Sequence, residues 1–232
     1  MNKTNIEPIA RIHNKYKEKF GIPRQSNLIN TTISTIIFEE KYRDDNSLRG
    51  LDQYSHIWLL WQFDNIEYTK DWSPTVRPPR LGGNKRVGVF ATRSPYHPNG
   101  IGLSCVELIS IEKDAKYGTV LKIKGADLQD NTAIIDIKPY LTFTDSVPFA
   151  KCGFAEKVYN YKINVEIDEK FKLMLSDDEY EELCGILSQD PRPSYQNDSN
   201  RIYKMVYSDY KISFRVENLI LTVTNIEKGS EK

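Results

Sequence analysis

The sequence predicts a mainly β protein, with an N-terminal antiparallel β domain over residues 1–150 and a small α+β unit over residues 151–232. Three observations carry that expectation. Short runs rich in Ile, Val, Thr and aromatics, separated by Gly, Pro, Asn and Asp, dominate the first 145 residues. No long helical pattern lies between them, which disfavours right-handed βαβ crossovers and favours a mostly antiparallel barrel or sandwich. The pattern then changes near residue 150.

The expected strands of the first unit are Pro8 to His13, Thr31 to Phe38, Ser55 to Phe63, Arg86 to Thr92, Ile101 to Ile111, Thr119 to Lys124 and Ala133 to Ile137. In Thr119 to Lys124, Val120 falls on one face while Leu121 and Ile123 fall on the other, as in a sheet with one well-packed side. Ile57 to Leu60 is continuously apolar and should lie deep. Closing such a sheet would also remove its exposed edges. The second unit begins with the run Tyr159 to Ile167. Ser176 and Glu179 form a capping-box pattern that starts a helix with Tyr180, Leu183, Ile186 and Leu187 on one face. The helix should stop near Gln189, because Pro191 and Pro193 cannot continue it. Arg201 to Tyr207, Lys211 to Val216 and Leu219 to Ile226 then read as a small meander against that helix.

Composition narrows the function. The 232 residues carry 32 basic and 32 acidic side chains, so bulk charge does not suit a protein that coats nucleic acid. No apolar run approaches the ~20 residues of a membrane span, and the first residues lack a secretory hydrophobic core, which reads as cytoplasmic. Cys105, Cys152 and Cys184 are too scattered for a disulfide framework or zinc site, and His13, His56 and His97 are too isolated for a typical metal cluster. Gly82-Gly83 leads into Asn84, Lys85 and a strand, so neither a dinucleotide-binding fingerprint nor a P-loop is present.

The chemistry concentrates in Arg77 to Ser104. Arg77, Arg80, Lys85, Arg86 and Arg93 lie there with no intervening Asp or Glu, which points to an anionic partner. Pro78, Pro79, Pro95 and Pro98 fix φ, while Gly82, Gly83, Gly100 and Gly102 permit close approach. In the turn Thr92 to Gly102, Arg93 is suited to a carboxylate or phosphate, and Tyr96 or His97 to stacking on a base. The alternative is a structural connection with solvated polar side chains. Asp127 to Asp136 offers carboxylates for a ribose or ammonium group, or an Asx-turn around Asp130 and Asn131 that satisfies its own backbone. Asp190 to Tyr195 looks stiff and exposed, so Arg192 and Tyr195 are candidates for RNA or a neighbouring subunit, with a domain brace as the alternative. Trp58, Trp61 and Phe63 read as core.

Arg49-Gly50-Leu51, Ser55 to Trp58, Thr75 to Asn84, Gly88 to Ser94 and Asp136 to Leu141 together resemble the TsaA-like, or TrmO, family. Gln189 to Tyr195 is similar to a motif of that family's C-terminal domain, so the resemblance spans nearly the whole chain. It implies a small β-barrel that binds S-adenosylmethionine without a Rossmann fold. It also implies a homodimer with the cofactor site near the subunit boundary. The implied reaction is methylation of N6 of threonylcarbamoyl-adenosine at position 37 of threonine tRNA. By motif position the cofactor contacts fall on Pro23, Arg24, Gln25, Asp64, Asn65, Arg93, Leu103, Gly125, Ala126 and Asp127. The sequence departs from a common family pattern in one loop, reading H-P-N-G-I-G at His97 to Gly102 in place of R-P-N-P-I-G.

The adenine amine is a poor nucleophile, so alignment of the reactants is the main catalytic task. Asn99 is the candidate to accept a hydrogen bond from N6, and Tyr96 the candidate to stack on the base. Arg77, Arg80, Lys85 and Arg86 would hold phosphates of the anticodon loop, joined by Arg192 and Tyr195. The rival reading is a noncatalytic β-barrel that binds single-stranded RNA with the same basic loop.

Overall fold

The computed structural model describes residues 5–63, 72–158, 161–192, 196 and 198–229. The mainly β class expected from the sequence is what the structure has. Strands β1 (Ala10–His13), β2 (Ile33–Phe38), β3 (His56–Gln62), β6 (Ile101–Asp114), β7 (Gly118–Lys124) and β8 (Ala133–Pro139) form a closed barrel in the order β1-β2-β7-β6-β3-β8. Every pairing in that ring is antiparallel, and β1 meets β8 through Ala10↔Ile134 to complete it.

Alternation fills the barrel. Ile57, Leu59 and Trp61 of β3 point inward, as do Val106 and Leu108 of β6, where they meet Ile12, Ile36, Leu121, Ile123 and Ile134. Fully burying side chains of this size contributes about 1.5 to 3 kcal/mol each. The β6–β7 hairpin runs three residues past the expected Ile111, to Asp114. Asp114 fixes its turn by accepting hydrogen bonds from the N–H groups of Lys116 (2.8 Å) and Tyr117 (2.9 Å).

One expected strand is largely absent. In Arg86 to Thr92 only β5 (Val87–Gly88) is extended, paired with β4 (Thr75–Val76), and Val89–Ala91 is a 3-10 turn. Val89 is buried, so the chain turns inward there, and its N–H donates to the carbonyl of Pro74 (3.0 Å), a residue with no N–H to carry the ladder further.

Past β8, a short α1 (Thr142–Asp145) leads to a second core. Strands β10 (Tyr203–Tyr207), β11 (Tyr210–Glu217) and β12 (Ile220–Lys228) form the expected meander, and β9 (Asn164–Glu166) joins β12 in parallel. A short α2 (Glu169–Lys172) and the longer α3 (Asp177–Ser188) lie between β9 and β10 in the chain. The capping box of α3 is formed: Glu179 N–H donates to Ser176 Oγ (3.3 Å), and Ser176 N–H donates to Glu179 Oε2 (3.0 Å). Leu183, Ile186 and Leu187 of α3 pack on Tyr207, Ile212 and Phe214 of the sheet.

The N-terminal strand's continuation crosses between the two cores. Tyr16 and Ile29 belong to the second cluster, and Lys15 Nζ pairs with the buried Glu182 of α3 at 2.9 Å. Tyr207 also donates its hydroxyl proton to Glu182. Asp130, one of the acids read as a possible ligand, anchors this crossing segment, accepting from Asn14 N–H (3.0 Å) and Lys17 Nζ (2.8 Å). Among the described residues no helix is long and apolar enough to cross a membrane.

Candidate functional site

Three segments converge beside the barrel: the loop Pro23 to Asn27, the turn Gly125 to Asp127 after β7, and Arg93. Asn27 adopts φ 62, donates its N–H to the Gly125 carbonyl (2.9 Å), and donates from Nδ2 to the Cys105 carbonyl on β6 (3.0 Å). Gly125 has φ 80, and a Cβ there would strike the Asn27 side chain, so only glycine lets these two turns touch. The Ser26 N–H bonds to the Asp127 carboxylate.

The charged wall is wired link by link. Arg93 Nη1 donates to Gln25 Oε1 at 2.6 Å, and Gln25 Nε2 donates to the Arg24 carbonyl at 2.6 Å. Arg24 Nη2 in turn donates to the carbonyls of Asp190 (3.2 Å) and Arg192 (3.0 Å). Asp127 is fixed from inside the barrel, where Trp61 Nε1 donates to Ser104 Oγ (3.0 Å) and Ser104 Oγ donates to Asp127 Oδ1 (2.5 Å). Burial pushes the Asp127 carboxyl above the ordinary carboxylate range, against the opposing pull of the Ser104 bond and the Arg93 charge. Trp61 is core, as expected, but it is also the first member of this chain. Gly102 lies flat against its ring, leaving no space for a Cβ.

Of the expected cofactor contacts, the structure thus brings Arg24, Gln25, Arg93, Gly125 and Asp127 together. Pro23, Gly125 and Ala126 are buried, which leaves them main-chain groups to offer and little side-chain surface. Leu103 stands 51% exposed on the outer face of β6, between inward-facing Gly102 and Ser104. Asp64 and Asn65 lie outside the described residues.

The loop joining Thr92 to β6 is folded on itself. Ser94 N–H donates to Thr92 Oγ1 (3.2 Å), His97 Nε2 bonds to the Thr92 carbonyl (2.9 Å), and Gly100 N–H donates to the His97 carbonyl (3.0 Å). Gly100 has φ 58, a conformation closed to proline, which gives a backbone reason for glycine in this chain's version of the loop. His97 is half-buried with its ring edge-on to Phe90 at 5.6 Å, so it serves the loop. Tyr96 is 58% exposed and Asn99 is exposed.

The family description "tRNA-methyltransferase O N-terminal domain" matches residues 11–146, and "TrmO C-terminal domain" matches residues 160–229. The chain belongs to the TrmO family. It is 36% identical over 237 residues to the tRNA (adenine(37)-N6)-methyltransferase of Escherichia coli, covering 98% of this chain and 99% of that one. A Pseudomonas aeruginosa relative, whose name places it among S-adenosylmethionine-dependent methyltransferases, is 39% identical over 201 residues and 83% of each chain. A crystal structure of TrmO from P. aeruginosa superposes with TM-score 0.78 at 30% identity, covering 99% of both chains.

Within this TrmO chain the expected RNA contacts divide. Arg77, Lys85 and Arg86 are exposed, and Arg86 Nη1 donates to Thr75 Oγ1 at 2.7 Å. The side chain of Arg80 and all of Tyr195 lie outside the described residues. Arg192 is a correction. It is 8% exposed and grips Asp190 with two prongs, Nε to Oδ1 (2.8 Å) and Nη2 to Oδ2 (2.9 Å), so it is a buried brace and not an open phosphate contact.

Sequence reasoning missed Ser104 and Asn27, and it named Asp190 only as the start of a stiff segment. Ser104 carries the clearest signal, a hydroxyl at an inward position of an apolar strand. Asn27 and Asp190 matter through positive φ, which the sequence marks only weakly.

Proposed function

We propose that this enzyme methylates N6 of the adenosine at position 37 of tRNA, using S-adenosylmethionine held against the Gln25–Arg93–Asp127 wall, with threonylcarbamoyl-adenosine of threonine tRNA as substrate. The observation that carries the reading is the convergence of a guanidinium, a partly buried carboxyl and two tight turns on one side of a small barrel, in a chain of this family. The donor set fits the group: Arg93 suits an α-carboxylate, and Asp127 suits an ammonium or ribose hydroxyls. When bound, S-adenosylmethionine supplies an electrophilic methyl on a sulfonium.

The chain's own contribution is orientation. Trp61 and Ser104 fix one oxygen of Asp127, and Gln25 fixes the Arg93 guanidinium, so both meet a ligand with little reorganisation. Asn99 would accept a hydrogen bond from N6 and Tyr96 would stack on the base, both displayed by a loop whose backbone is internally bonded. Holding reactants in this way lowers a barrier by up to ~7 to 11 kcal/mol. Arg77, Arg80, Lys85 and Arg86 would hold the anticodon-loop phosphates.

In this reading residues 1–150 are the cofactor-binding barrel unit and 151–232 the accessory α+β unit, acting in the cytoplasm as a homodimer. Exposed Ile101 and Leu103 on the outer face of β6 support an association surface next to the wall. Mass spectrometry of tRNA nucleosides from cells lacking the protein tests the function. The expected result is loss of the N-methyl group on threonylcarbamoyl-adenosine, and an unchanged nucleoside profile would refute it. Calorimetric binding of S-adenosylmethionine separates this reading from a noncatalytic RNA-binding module.

A further inference from the structure

Helix α3 ends with Asp190 at φ 50, a left-handed stop that turns the chain into Pro191. The Asp190 carboxylate is fully engaged. Arg192 approaches it with two parallel N–H bonds, and the Tyr161 hydroxyl donates to Oδ2 at 2.9 Å. Asp190 and Arg192 are only 7% and 8% exposed, so a phosphate could reach this guanidinium only by displacing its partner. The two residues' carbonyls are aimed at one target, Arg24 Nη2. From there the bonds continue through the Arg24 carbonyl and Gln25 to Arg93.

We propose that Asp190 and Arg192 are positioning residues for the S-adenosylmethionine site: by fixing Arg24, and through it Gln25 and Arg93, the C-terminal unit sets cofactor affinity without touching the cofactor. The inference rests on the site reading above. It assigns the buried pair a role distinct from RNA contact. Each link is a hydrogen bond to the next residue of the relay, so displacing the first shifts the group that the second is bonded to.

Arg192→Lys keeps the charge but loses the two-pronged fit. The full-length variant is compared with wild type by hydrogen exchange without ligand, by calorimetry with S-adenosylmethionine, and by binding of an anticodon stem-loop RNA. Faster exchange at Ser26 and Asn27 is expected, together with cofactor affinity weakened about 3- to 30-fold and RNA affinity unchanged. In an Arg24→Ala background, Arg192→Lys should add no further loss. If melting shows that Arg192→Lys does not fold, Tyr161→Phe supplies the same readouts with smaller shifts in the same direction. Wild-type exchange and cofactor affinity alongside weakened RNA binding would overturn the proposal and make Arg192 an RNA contact. If wild-type protein bound no S-adenosylmethionine, the site reading would fail, while unchanged exchange at Ser26 and Asn27 would independently overturn the brace.

Discussion

Two groups of arginines, close in sequence, live in different surroundings. Arg77 and Arg86 stand exposed on a Pro/Gly-framed segment where, among the described residues, the one side-chain hydrogen bond is from Arg86 to Thr75. Arg93 is also exposed, yet its guanidinium is bonded to Gln25, lies within electrostatic reach of Asp127, and is tied through Arg24 to the C-terminal unit. The difference teaches that like charges on one loop divide by their partners. On the proposed function, an arginine already committed to internal bonds would meet a ligand of fixed shape, whereas exposed arginines would suit a backbone that slides and adapts.

Substitutions that remove one side of this contrast and spare the other would break or sharpen it. Arg93→Ala should weaken S-adenosylmethionine binding about 10- to 100-fold by calorimetry, the loss expected for a charge-assisted bond, and leave the salt dependence of RNA binding unchanged. Gly102→Ala forces a methyl into the Trp61 ring. It should cost about 1 to 3 kcal/mol in urea denaturation and loosen Asp127 through Ser104, as overpacking does. On the other side, the double change Arg77→Ala and Lys85→Ala should cut RNA affinity and lower the salt slope by about 1.4, with cofactor affinity at wild type. Equal losses of both ligands in any of these variants would erase the distinction.

The smallest effect is on acid–base stability. Because burial raises the Asp127 carboxyl in the folded protein, the fold holds that proton more tightly than the unfolded chain does. Its favourable contribution is fully present below the unfolded value of about 4 and is lost as pH rises through the folded value. Asp127→Asn should therefore melt progressively higher than wild type as pH is raised across that window. A constant difference in melting temperature from pH 3 to 8 would show that Asp127 is not held above its ordinary range.

The barrel strands were legible because their alternation and turn residues agree, as in Thr119 to Lys124, and helix α3 because its cap is written in Ser176 and Glu179. Arg86 to Thr92 misled for the opposite reason: β-prone side chains outvoted Gly88 and an inward-turning Val89, whose burial is a tertiary fact. In the site, the segments that family motifs singled out around Gln25, Arg93 and Asp127 do converge in the structure. What they could not convey was who bonds to whom. Arg192 read as exposed because Asp-Pro-Arg-Pro is polar and stiff, yet the left-handed Asp190 folds it inward onto its own carboxylate.

The division of labour is tested most directly by following the backbone amides of isotope-labelled protein by NMR during two titrations, first with S-adenosylmethionine and then with an anticodon stem-loop RNA. The cofactor should shift residues 24–27, Arg93, Leu103 and 125–127, and the RNA should shift Arg77 to Arg86 with Tyr96 and Asn99. Cofactor shifts confined to Arg77 to Arg86, or RNA shifts centred on Gln25 and Asp127, would contradict it.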